Sequence, residues 1–119
     1  MFFGPGLGDC DNNPGRGTAL AVRVVWNATD AEGPVEGACV RAYPANAPEG
    51  SGDLTRSVRV DGDGRARLRL DAALDWRVYA IVERPDDRYC AWISESAELS
   101  APFPQEIALQ IGKAGGVCA

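Results

Sequence analysis

The chain of 119 residues contains no histidine. That absence removes Ser-His-Asp and Cys-His catalysis, and every zinc site with an imidazole ligand. Lysine occurs once, at Lys113. Positive charge therefore rests almost wholly on arginine, a cation that stays protonated and is a poor nucleophile. Acids outnumber bases by 17 to 12, a net charge of −5, so the basic field a nucleic-acid binder needs is missing. No apolar run approaches the ~20 residues of a membrane-spanning helix. The opening Met1-Phe2-Phe3 has neither a basic region nor an apolar stretch behind it, so no signal peptide is expected at this start.

The residues present suit one globular domain. Apolar residues are 45% and charged residues 24%, too apolar for disorder and ordinary for a packed core. Four cysteines, Cys10, Cys39, Cys90 and Cys118, are nowhere spaced as C-x-x-C. A metal knuckle or a thioredoxin-like redox pair is thus not indicated. An even count in a small domain fits two disulfides in an oxidising compartment, with three possible pairings. Four buried free thiols are the alternative. The preferred pairing is Cys39 with Cys90, stapling two mid-domain strands, and Cys10 with Cys118, tying the two tails.

The pattern along the chain is that of an all-β protein. Residues 1–17 are rich in glycine and proline and read as an irregular arm. From Thr18, Leu20, Val22, Val24 and Trp26 alternate with other residues, the period of a strand. Further strands are predicted over Val35–Tyr43, with Gly37 as a bulge or a close backbone approach, and over Leu54–Val60. Asp61-Gly62-Asp63-Gly64 is a hairpin turn by composition. In the strand after it, Ala66, Leu68 and Leu70 alternate with Arg65, Arg67 and Arg69. Trp76–Arg84 is apolar on both faces and is expected to be central. Arg88–Ile93 and a strand marked by Ile107, Leu109 and Ile111 complete seven. A single helical turn is conceivable over Leu70–Leu74. Seven short strands separated by turn signals predict a Greek-key β-sandwich over residues 18–112, with a tail at 113–119.

Three segments carry a resemblance: GPVEGACV at 33–40, VDGDGRARLRL at 60–70 and WRVYAIV at 76–82. Together they resemble the carboxypeptidase regulatory-like domains of the transthyretin-like (prealbumin-like) group of Ig-like β-sandwiches, over about residues 19–111. Val60 stands where that pattern usually has threonine. The resemblance implies a non-catalytic accessory, adhesive or structural module of secreted or cell-surface proteins. Hydroxyisourate hydrolases share that fold but use histidines, which this chain lacks. Collagen-adhesin domains form a lysine isopeptide from the first strand, where this chain has Arg23.

Several constellations stand out. Asp61 and Asp63, with Asp53 and Asp71, form a weak calcium candidate, and a solvated turn is the plainer reading. The arm segment Asp9 to Asn13 also alternates oxygen ligands and reads more simply as a polar tail. Arg65, Arg67 and Arg69 share a face, with Arg59 expected across the hairpin; such a row could receive an acidic subunit or a sulfated or uronic glycan. Charge on an edge strand equally discourages unwanted pairing. Trp92 is the aromatic expected to be exposed, and hence a sugar-stacking candidate; the remaining aromatics read as core. Ser94, Ser96, Ser100 and Thr29 lack a base and a nucleophile elbow, so no catalytic residue and no cofactor is expected. The sequence thus favours an extracellular or particle-surface module for protein contact or self-assembly, such as a filament or virion subunit. A carbohydrate-binding accessory module is the alternative.

Overall fold

A computed structural model describes residues 10–13, 17–27, 33–45, 55–84, 87–112 and 117–118. They form ten strands: β1 (Asp11–Asn12), β2 (Thr18–Trp26), β3 (Cys39–Pro44), β4 (Arg56–Arg59), β5 (Arg65–Leu70), β6 (Trp76–Arg84), β7 (Asp87–Ile93), β8 (Ala97–Leu99), β9 (Glu106–Ile111) and β10 (Val117–Cys118). There is no helix among the described residues. The stretch after Leu70 is a turn closed by the Leu74 N–H on Asp71 O at 3.1 Å.

The strands make a two-layer sandwich. The larger sheet runs β1-β4-β3-β6-β7-β10, with β8 also on β6; the smaller runs β5-β2-β9. β2 is antiparallel to β5 and parallel to β9. Seven strands were expected. The three additional ones have two or three residues each, and one of them, β1, lies in the arm expected to be irregular. The second strand begins only at Cys39, because Gly37 sits in a turn at φ 76° and does not form a bulge.

Alternation explains the core. Leu20, Val22 and Val24 of β2, Leu68 and Leu70 of β5, and Leu109 and Ile111 of β9 turn inward and are buried. They meet Val40 and Ala42 of β3 and Val78, Ala80 and Val82 of β6. The larger sheet is apolar on its other face as well: Cys39, Tyr43, Tyr79, Ile81 and Ala91 form a second buried cluster with Cys10. Two buried faces are why β6 reads as continuously apolar. Tyr43 and Tyr79 meet edge to face at 6.3 Å there. The Tyr43 hydroxyl, and after it Glu98 opposite on β8, hold the Arg77 guanidinium above its ordinary pKa.

β7 and β8 take turns along one edge of β6. β7 pairs Ile93 with Ile81, and β8 pairs Ala97 with Val78. Ser94 fills the break between them. Its N–H donates to Ala80 O, its Oγ accepts from the Ala80 N–H, and its hydroxyl donates to Glu95 O, each at 2.9 Å. A buried hydroxyl thereby replaces a missing rung of the ladder.

The disulfides are Cys10–Cys39 and Cys90–Cys118, which corrects the expected pairing. Strand order is the reason. Cys10 precedes β1 at the end of the larger sheet near β3, and the Cα atoms of Cys10 and Cys39 are 5.9 Å apart. Cys118 lies directly opposite Cys90 in the β7–β10 register. Cys39 and Cys90 are separated by β6 and are each bound elsewhere.

Candidate functional site: the arginine face of the smaller sheet

Inward alternation on β2, β5 and β9 fixes what the outer face of the smaller sheet must carry. β5 contributes Arg65, Arg67 and Arg69, all exposed. β2 contributes Ala19, Ala21 and Arg23, and β9 contributes Glu106, Ala108 and Gln110. The registers set these residues in rows: Arg65–Arg23–Ala108, then Arg67–Ala21–Glu106, then Arg69–Ala19. The face is a column of guanidiniums beside a low floor of alanines.

The Val24 N–H donates to Gly64 O, so the pair Val24/Gly64 belongs to the hydrogen-bonded class. Alternation along the ladder then places Arg23/Arg65, Ala21/Arg67 and Ala19/Arg69 in the closely spaced class, with Cα atoms about 4.5 Å apart. Like charges directly opposite one another are unfavourable. Among the described residues no hydrogen bond or ion pair holds the side chains of Arg23, Arg65 or Arg67; Arg69 Nη1 makes one long bond, 3.4 Å, to Gly17 O. Four cations therefore share one surface with a single carboxylate, Glu106, among their neighbours on the three strands.

The backbone beneath is held firmly. The outward groups of β5 are capped by Asp61 and Asn13 instead of by another strand. Asp61 Oδ1 accepts from the Arg65 N–H at 3.0 Å, and the Asp61 N–H donates to Arg65 O at 2.9 Å. Asn13 Nδ2 donates to Arg67 O and Asn13 Oδ1 accepts from the Arg69 N–H, both at 2.9 Å. The Asn13 amide thus imitates one residue of a neighbouring strand.

Two shallow clefts flank Arg65. One of about 530 Å³ is bordered by Ala21, Arg59, Asp61, Arg65, Arg67 and Glu106. The other, about 480 Å³, is bordered by Arg23, Val25, Pro34, Asp63 and Arg65. Arg59 reaches this region from the larger sheet. It is not across a hairpin from the arginine row, because β4 pairs with β1 and β3 while β5 pairs with β2. The Asp-Gly segment is a corner between sheets. Arg59 Nη1 is engaged by Gly37 O at 2.8 Å.

Asp61 Oδ1 also accepts from the Asp63 N–H at 2.8 Å, so this carboxylate is occupied as a turn cap. Among the described residues no group of three acidic or cysteine ligands comes together. Asp9, Thr29, Asp53 and Lys113 lie outside the described residues, and Ser94 is engaged in the fold. Trp92 is half-buried against the core, edge to face with Trp26 at 5.4 Å and beneath the Arg84 guanidinium at 5.4 Å. The exposure expected at Trp92 belongs to Tyr89, at 56%, because Trp92 pairs with Val82 and shares its inward direction. Arg23 is the member of the face that alternation on β5 did not reveal; its own position on β2, opposite in phase to Val22 and Val24, carried that signal.

No family profile matches the chain, and no curated protein matches it. Among solved structures, the crystal structure of 3-chlorocatechol 1,2-dioxygenase from Rhodococcus opacus 1CP is similar at 13% sequence identity and a TM-score of 0.49, over 95% of this chain and 69% of that one. A likeness that faint transfers neither chemistry nor partners to this chain.

Proposed function

We propose that this chain is a non-catalytic interaction module that docks an anionic partner on the outer face of its smaller sheet. The observation that carries this reading is the set of Arg23, Arg65, Arg67 and Arg69 on one exposed face, with Arg23, Arg65 and Arg67 unpaired among the described residues. Guanidiniums make paired, charge-assisted bonds to carboxylates and sulfates, and an exposed, unengaged row of them is poised to do so. Two disulfides support a setting outside the reducing cytoplasm, at an extracellular or particle surface. The resemblance to transthyretin-like accessory domains points the same way. The carbohydrate reading through Trp92 is less favoured, since that ring is half-buried against the core, edge to face with Trp26.

The test uses the mismatch between the face and the whole molecule. A chain with a sequence pI near 4.6 should pass through a sulfonate cation exchanger at neutral pH. The face predicts retention at low salt and release as salt screens the exposed charges. The double variant Arg65→Ala with Arg67→Ala should flow through. Passage of the wild-type chain without retardation would count against the reading.

A further inference from the structure

We infer that the partner segment recognised by the arginine face is an extended peptide carrying Asp or Glu at alternate positions and lying along β5. The inference rests on the docking face proposed above and names what fits it. Arg65, Arg67 and Arg69 recur every second residue of a strand, a repeat of about 6.8 Å. An extended peptide presents its own alternate side chains at the same repeat, so three carboxylates meet three guanidiniums without either backbone adjusting. Arg23 stands beside Arg65 and gives the first carboxylate two donors.

The surroundings narrow the track. Glu106 lies across Ala21 from Arg67 and repels an anion that drifts toward β9. Ala19, Ala21 and Ala108 leave room for a backbone over the floor. The capped edge of β5 closes the route of strand addition there, so the segment binds face-on. A sulfated glycan fits less well: none of Trp26, Trp92 and Tyr89 offers a ring on this face for a sugar to stack on, and Gln110 is its one neutral side-chain amide. A second copy docking through the same face would set like charges against like.

The experiment is fluorescence anisotropy with the disulfide-intact chain and two labelled peptides of identical composition. One alternates glutamate with threonine; the other groups its glutamates in a block. The alternating peptide should bind about fivefold tighter, the difference that loss of one or two in-register exposed pairs makes. Arg67→Gln, which removes the middle rung without disturbing any bond to the fold, should erase that preference. Equal binding of the two peptides overturns the inference while leaving an anion-docking face in place. Heparin binding more tightly than either peptide overturns it in favour of a glycan. A salt-sensitive oligomer by light scattering, with no peptide bound, overturns it in favour of a second copy. Failure of every polyanion to bind removes the docking face itself.

Discussion

Ser94 and Gly64 show how much of the fold depends on single side chains or their absence. Ser94 is buried and joins three backbone groups at the break between β7 and β8. Ser94→Ala leaves the Ala80 N–H without its partner and should cost about 2 kcal/mol, read as a lowered urea midpoint. Gly64 has φ 72°, and a Cβ there would fall 2.6 Å from Val24 O. Gly64→Ala should therefore destabilise by roughly 2 kcal/mol or more, since both the left-handed backbone and the neighbouring strand oppose it. The aspartates and glycines from Asp61 to Gly64 announced a tight turn, and that much was legible. Which strands the turn connects was not. A corner between sheets and a hairpin within one use the same residues, so turn composition alone assigns Arg59 to the wrong sheet. Trp92 misled for a related reason. β6 and β7 are apolar on both faces, and period alone cannot say which face meets the other sheet.

At the scale of elements, the longer strands were readable and the shortest were not. β2, β5 and β9 agree with their sequence alternation to within a residue or so, and β6 with its continuous apolar run. β1, β8 and β10 are too short to show a period and exist through their partners: a disulfide for β10, the lower half of β6 for β8, and Ser57 and Val58 for β1. The arginine column was visible because β5 alternates so cleanly; its capped edge was not, because Asn13 is 54 residues away from Arg67. That cap has a direct test. In Asn13→Ala the Arg69 N–H, which points away from β2, should lose protection in amide hydrogen exchange, while the Leu68 N–H, which points toward β2, keeps its own. Equal loss at both amides would mean that Asn13 holds the whole strand and not its edge.

For the molecule as a whole, the covalent links set the stability. Peptide mapping without reduction should recover Cys10 joined to Cys39 and Cys90 joined to Cys118. The bonds close stretches of similar length, 29 and 28 residues apart in sequence. Loop-closure entropy then gives each about 3.5 kcal/mol of stabilisation, so replacing either pair by alanine should lower the unfolding free energy from denaturant titration by a comparable amount. Four well-spaced cysteines were enough to expect two bonds. Their partners followed from strand order, a long-range property that no local pattern encodes.

The placement of these two bonds also decides how the molecule bears tension. Force applied outside Cys10 and Cys118 passes through sulfur to Cys39 and Cys90, and reaches only the chain between them. β2 and β9, the parallel pair of the smaller sheet, lie inside the two bypassed loops and cannot be drawn out in line. A tethered copy pulled from its ends would thus give up β3 to β6 first and keep both ends of its chain short, a tether whose extension is capped by its own chemistry.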